Sequence, residues 1–357
     1  GNKSKGVTPV FQPQYQNFVN AVLNRPTRYI PLYEHIIDTA VMEAVTGEKF
    51  RHLENGSCAD KVSFLRRYTR FFRDMGYDAV SYERLIVNSM PGNGCLYGHN
   101  KGCIQTQEDF DRYPWNKIPD WFFERESDYY RALREAMPDG MLAVGGPGNG
   151  LFECIQDIIG LESLCYLRMD EEAVYEALFQ AAGDMMCAIW SRFLEEFGDI
   201  FCVCRFGDDL GFQSSTLLPV KDIQRLLIPQ YRRIVAIIHK HGKPFLMHSC
   251  GNIFRIMDDL IDTVKIDAKH SNEDAIAPFG EWIARYGDRI GNIGGLDASV
   301  YCEGSPVDIR EYTTALYHTC AAKGRGVAMG SGNSIPDYVA PERYVQAINT
   351  IRSLRGC

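Results

Sequence analysis

Eight short β-type runs recur along the chain, each followed by a longer stretch of helical or loop character, and this alternation restricts the fold more than any other feature. The runs are residues 28–34 (RYIPLYE), 78–83 (DAVSYE), 141–146 (MLAVGG), 200–206 (IFCVCRF), 243–249 (KPFLMHS), 263–269 (TVKIDAK), 290–297 (IGNIGGLD) and 326–332 (GVAMGSG). Residues 170–198 and 220–242 place apolar side chains three and four apart, the helical period, and the second of these closes on Gly242. Strands separated by helices pair in parallel through crossovers. Eight such repeats predict an α/β fold, a closed (β/α)8 TIM-type barrel, with an open doubly wound sheet as the alternative. The whole chain, 1–357, then forms a single barrel domain. Residues 1–27 read as an N-terminal extension, a helical arm, and residues 88–125 as a long loop after the second strand, of the kind that often forms a lid.

A chain that is 45% hydrophobic and 24% charged can bury a sizeable core. The net charge of −8, with no basic run, argues against nucleic acid as a partner and for a small-molecule substrate. No stretch approaches the roughly 20 apolar residues that cross a bilayer, and the first sixteen residues lack the apolar centre of a signal peptide. No membrane contact and a cytoplasmic location are expected. The twelve scattered cysteines read mostly as buried reduced thiols.

In a barrel of this type the chemistry sits where strands end. The fifth run ends in His248-Ser249-Cys250, and residues two apart on a strand face the same way, so imidazole and thiol could grip one ion. Both are zinc ligands of choice, and a catalytic zinc needs a third, which the local sequence does not show. A buried thiol beside a hydrogen-bonded core histidine is the alternative. Other strand ends present Glu34 and His35, Asp208 and Asp209, Lys269 and His270, Asp297, Ser331 and Asn333. Neighbours on a strand end face opposite ways, so one of Asp208 and Asp209 is expected at the mouth and the other capping a helix or in solvent. Asp208 and Asp297 are taken as catalytic candidates; Glu34, Lys269, His270 and Asn333 as substrate-binding ones. Cys95, His99 and Cys103 form a weaker metal-like spacing. The glycine-rich GGPGNG at 145–150 lacks a phosphate-loop ending and reads as a tight turn where backbone approaches ligand.

Three segments in order, HGKPFLMHSCGNIFRIMDDLI (241–261), YGDRIGNIGGLDASVYCEGSPVDIREY (286–312) and GVAMGSGNSIPDYVAPERY (326–344), resemble the last half of the uroporphyrinogen decarboxylase superfamily. RPTRYIPLYEHIID (25–38) is similar to the first-strand region of its outlying members. The resemblance implies a (β/α)8 barrel and either of two chemistries. Tetrapyrrole decarboxylases use no metal, bind their polycarboxylate through arginines near the first strand, and place an aspartate, here Asp208, at the pyrrole nitrogens. This chain has Glu34 and His35 where those arginines would stand. The cobalamin-dependent methyltransferase branch carries an H-x-C, matched by His248 and Cys250, and a later cysteine, where this chain has Ser331. Zinc is the metal this branch implies, with a methylcorrinoid donor, a small acceptor such as a thiol and a corrinoid protein as partner. The third ligand is left open, with Glu34 or Asp208 as carboxylates that could complete it. A metal-free lyase and a corrinoid- or tetrapyrrole-binding protein without turnover are the alternatives. A homodimer would be compatible with the aromatic stretch YPWNKIPDWFF (113–123), which could equally roof the barrel.

Overall fold

The structure, a computed structural model, describes residues 10–96 and 102–357. Seven parallel strands form one sheet in sequential order: β1 (Ala79–Leu85), β2 (Leu142–Gly148), β3 (Phe201–Gly207), β4 (Phe245–His248), β5 (Ala268–His270), β6 (Gly291–Leu296) and β7 (Val327–Ser331). The remaining run, 28–34, is the stave that lies between β7 and β1. Leu32 forms a parallel bridge with Met329, the Tyr33 N–H donates to the Met329 carbonyl and the Met329 N–H donates to the Pro31 carbonyl, each at 2.9 Å. On its other side the Ser81 hydroxyl of β1 donates to the Glu34 carbonyl. Pro31 has no N–H to offer, which helps to hold this stave to an isolated bridge. The fold is the expected (β/α)8 TIM type.

Helices Glu172–Phe197 and, after a π-helical turn at Ile223–Leu227, Ile228–Lys240 occupy the two segments read as helical. Pro229 follows that turn and supplies no N–H to the helical ladder, a common setting for π geometry. Packing of the helical layer reaches the backbone of the sheet at Gly146, whose φ is +129° and where a Cβ would lie 2.7 Å from Trp190.

Two expectations need correction. The sixth run was read as 263–269, but Asp259–Val264 is a π-helical turn and Lys265, at φ +67°, swings the chain into a shorter strand at Ala268. Val264 and Ile266 are buried with the other apolar side chains of the main core, so their alternation reports burial, not strand. The span 88–125 is not one loop. Helix Gln107–Arg112 starts at a capping box made by Thr106 and Asp109, and helix Ile118–Ala136 starts with a proline in its first turn. Phe122 and Phe123 on that second helix are core residues, while Tyr113, Trp115 and Trp121 are half-buried.

Residues 1–27 carry a helix, as expected. Helix Tyr15–Val22 closes the bottom of the barrel, where Phe18, Val19, Ala21 and Val22 pack with Ala79, Val144, Val203, Leu246, Ala268, Ile293 and Ala328. The ring of Phe18 stacks on Tyr33 at 5.5 Å with 4° between planes. The barrel therefore has an apolar floor and, above it, a polar upper layer. Truncating a wholly buried aromatic leaves a cavity that costs about 3–5 kcal/mol. Phe18→Ala is expected to lose that much in denaturant unfolding; a loss below about 1 kcal/mol would show that the helix is not part of the barrel core.

Candidate metal centre at the barrel mouth

Three ligand-bearing side chains meet where β3 and β4 end. His248 is the last residue of β4, Cys250 lies two residues beyond it, and Asp209 two residues beyond the end of β3. His248 Nε2 is 3.5 Å from Cys250 Sγ and 3.7 Å from Asp209 Oδ1. Ligands about 2.0–2.3 Å from a tetrahedral ion stand roughly 3.3–3.8 Å from one another, so these separations are edges of such a site. The Cys250 N–H donates to Asp209 Oδ1 at 2.9 Å, which fixes the carboxylate beside the thiol.

The state of His248 follows from its neighbours. His270 Nε2 lies 2.9 Å from the Ser331 carbonyl, which can only accept, so His270 carries its proton on Nε2. Its Nδ1 is then an acceptor, and the 2.8 Å contact with His248 Nδ1 requires the proton to sit on His248 Nδ1. His248 Nε2 is left as a bare lone pair facing Cys250 and Asp209. Burial and the charge of neighbouring groups hold both imidazoles below the ordinary range, to about 3 at His270 and well below it at His248, which keeps them neutral. Both nitrogens of His270 are spent, so the histidine-only grouping His35–His248–His270 cannot converge on an ion.

The thiol is in the opposite condition. Burial, followed by the Asp209 carboxylate, pushes Cys250 up to about 12. A protonated thiol beside a carboxylate and a neutral imidazole lone pair is a donor set that a divalent cation would turn into thiolate, carboxylate and imidazole. The donor set is one that zinc accepts, and Asp209 offers beside His248 and Cys250 a third donor atom that the local sequence around H-x-C does not show.

The other sequence candidates lie as follows. Asp208 faces away from the trio: its oxygens accept N–H bonds from Phe152 (2.9 Å) and Glu153 (2.8 Å), at the start of helix Leu151–Ile159, and from the Tyr231 hydroxyl. It is a buried cap, and of the two adjacent aspartates the mouth position belongs to Asp209. At Gly150, the end of the glycine-rich turn, a Cβ would lie 2.2 Å from the Asp208 side chain, so the turn passes close over that carboxylate. Asp297 also caps a helix, Ala298–Glu303, accepting from the Ser299 and Asp274 N–H groups. Burial pulls its carboxyl upward, and those two bonds outweigh it and hold it below the usual range. Lys269 is buried with Nζ over the Trp282 ring at 3.8 Å and bonded to the Ser271 carbonyl. His270 is the partner that orients His248. Asn333 borders a separate side cavity of 230 Å³, and its N–H donates to Ser331 Oγ. Ser331 acts through its backbone, its carbonyl on His270 and its N–H on Glu34. Of the Cys95–His99–Cys103 pattern, His99 lies outside the described residues; the Cys103 sulfur contacts the Ile158 carbonyl at 3.4 Å.

Glu34 is wholly buried, and both its oxygens receive the Ser331 N–H, at 3.1 and 3.2 Å. It is not among the metal-capable groups. Burial raises it to about 8, against which the Ser331 bonds act only in part.

Sequence reasoning passed over Arg205, the fifth residue of β3 and fully buried. Its Nη1 donates to Tyr33 Oη at 2.9 Å and to the His35 carbonyl at 3.2 Å; Glu83 Oε2 is 3.7 Å from Nη2. A charge in the middle of an apolar run, FCVCRFG, was the available signal. Tyr33 Oη, accepting from Arg205, also lies 3.4 Å from His35 Nδ1. The His35 ring stacks on His248 at 3.7 Å. Above these rings open two adjoining cavities of 490 and 340 Å³ that share His35, Ile36, Glu83, Leu85 and Asn88.

An acid whose folded-state pKa is raised binds its proton more tightly in the native chain than in the unfolded one. Its contribution to stability is whole below about pH 4.5 and is lost as pH rises through about 8. Glu34→Gln, which cannot ionise, is therefore expected to gain on the parent protein as pH goes from 6 to 9. Thermal unfolding of the two side by side checks this; a constant difference in Tm across that range would contradict it.

The family model of uroporphyrinogen decarboxylase (URO-D) matches residues 104–354. No curated protein matches the chain. Among solved structures, a methyltransferase from Methanosarcina mazei superposes with a TM-score of 0.71 at 14% identity, covering 97% of this chain and 100% of that one. A putative vitamin-B12-independent methionine synthase from Listeria monocytogenes gives a TM-score of 0.51 at 12% identity, covering 93% of this chain and 97% of that one. At such identities the likeness is one of fold. The family match spans more than half of the chain and agrees with the barrel and with the motifs at its mouth: the protein belongs to the uroporphyrinogen decarboxylase (URO-D) family.

Proposed function

We propose that the protein is a metal-dependent methyltransferase that moves a methyl group between a corrinoid and a small acceptor such as a thiol, with zinc held by His248 Nε2, Cys250 Sγ and an Asp209 oxygen. The observation that carries this reading is the convergence of those three ligand atoms, within 4.8 Å of one another, with a lone pair left on His248 by the chain of bonds behind it. Zinc bound there would lower the pKa of an acceptor thiol and favour the thiolate.

The residues around it divide the remaining work. His270 and the Ser331 carbonyl hold the His248 ring and its tautomer, the arrangement that orients metal-binding histidines generally. His35 stacks on the His248 ring and lines the same cavity, so its Nε2 could hydrogen-bond an atom bound beside His248. The 490 Å³ cavity is in the range of small-molecule sites, so the acceptor would sit inside it and a corrinoid, carried by a partner protein, would approach from outside. A metal-free decarboxylase of tetrapyrroles is the weaker reading. Glu83, Asp157 and Asp209 line the mouth cavity, and a polycarboxylate would meet like charge there.

The experiment is elemental analysis of protein purified without a chelating column. About one zinc per chain is expected, retained through dialysis. His248→Ala, Cys250→Ser and Asp209→Asn should each weaken zinc binding by about tenfold or more. Asp208→Asn should keep the metal and lose stability through its cap on helix Leu151–Ile159. Protein that takes up no zinc when offered micromolar amounts would end this reading.

A further inference from the structure

One buried acid has no part in the ligand trio. Glu34 is 0% exposed, and no cation pairs with it among the described residues. Its hydrogen-bond partner is Ser331, whose N–H lies 3.1 and 3.2 Å from the two carboxyl oxygens. A carboxyl group taken out of water for one backbone N–H is costly, and filling space does not require it. Among the described residues, the backbone bonds between the first stave and β7 stop at Met329 and resume at Ile335. Between those points the two chains touch: a Cβ on Gly330 would run into the Tyr33 carbonyl and lie 3.1 Å from Glu34 Oε2. The Glu34 side chain thus holds the end of β7 where the ladder is interrupted.

Ser331 is also the outer anchor of the metal-binding imidazole. Its carbonyl is 2.9 Å from His270 Nε2, and His270 Nδ1 is 2.8 Å from His248 Nδ1. Both rings lie against glycine backbone: a Cβ on Gly294 would come 2.9 Å from His270, and one on Gly207 3.1 Å from His248. No side chain branches from those glycines to fix the rings in their planes, so the contacts at the ring edges set the direction of His248 Nε2. A site that holds an ion needs its donors placed within about 0.5 Å. A shift of Ser331 therefore passes along the row to the donor atom.

We infer that Glu34 is a positioning residue of the metal centre: its side chain holds Ser331 at the end of β7, and through the Ser331 carbonyl and His270 it sets the direction of His248 Nε2 toward the ion. The inference rests on the zinc reading above and goes beyond it by placing control of that site on the first stave, in a residue that does not ligate the metal.

Zinc affinity is measured at neutral pH by competition with a chromophoric chelator, and the visible spectrum of the cobalt(II)-loaded protein is recorded beside it. Glu34→Gln keeps a carbonyl oxygen at the same reach and should bind zinc within about threefold of the parent protein, with the same cobalt bands. Glu34→Asp draws the acceptor back by one methylene, about 1.5 Å, and Glu34→Met removes it. Both should weaken zinc by about tenfold and shift the cobalt bands. Should Glu34→Met fail to fold, the aspartate and glutamine variants decide between them. Leu178→Ala, a core truncation on helix Glu172–Phe197, should lower Tm and leave both readouts unchanged. Zinc held by Glu34→Asp as by the parent protein, a loss in Glu34→Gln as large as that in Glu34→Asp, or an equal loss in Leu178→Ala overturns the inference and leaves the zinc reading standing. A parent protein that takes up no zinc overturns both.

Discussion

The arrangement at the mouth depends on one buried hydrogen bond, from His270 Nε2 to the carbonyl of Ser331. A carbonyl cannot donate, so this contact fixes one proton, and the next contact along the chain fixes a second. The result is a His248 ring that turns a lone pair toward Cys250 and Asp209. Three strand ends are tied together by this row: β7 through Ser331, β5 through His270 and β4 through His248. Parallel strands place their carboxyl ends on one rim, so residues 22 and 61 positions apart in the chain can act as one unit.

Arg205 plays the corresponding part beneath the other imidazole. A guanidinium at full burial is costly unless its donors find oxygens, and here it bonds Tyr33 and the His35 carbonyl on the first stave and faces Glu83 on β1. It thus links β3 to the stave that closes the barrel and settles the orientation of Tyr33, whose ring is stacked from below by Phe18. The floor helix, the closing stave and the histidine pair are consecutive layers of one packing arrangement. Glu34, on the same stave, is held as a largely protonated acid at neutral pH and links that stave to the end of β7.

Much of this was legible in the sequence. The eight runs, the parallel barrel and the pairing of His248 with Cys250 follow from period-two and period-three-to-four patterns, which report local geometry directly. The capping box at Thr106–Asp109 and the proline at the start of helix Ile118–Ala136 were legible too, yet the glycine- and aromatic-rich surroundings drew the segment toward a loop reading. Asp208 and Asp209 show where such reading stops. Alternation along a strand says that adjacent residues diverge; it does not say which of them meets the mouth. That depended on helix Leu151–Ile159, 50 residues earlier in the chain, presenting its N–H groups to Asp208.

By itself the sequence determined the barrel, its order of strands and helices, and the presence of an imidazole and a thiol on one strand end, because these rest on local periodicity and on short spacings. The tertiary structure decided that Asp209 stands with them, that the Ser331 carbonyl orients His270, and that the N-terminal helix packs as the floor of the barrel. Each of these is a contact between segments distant in the chain, and its identity depends on the register and tilt with which the staves close, which no local pattern of residues encodes.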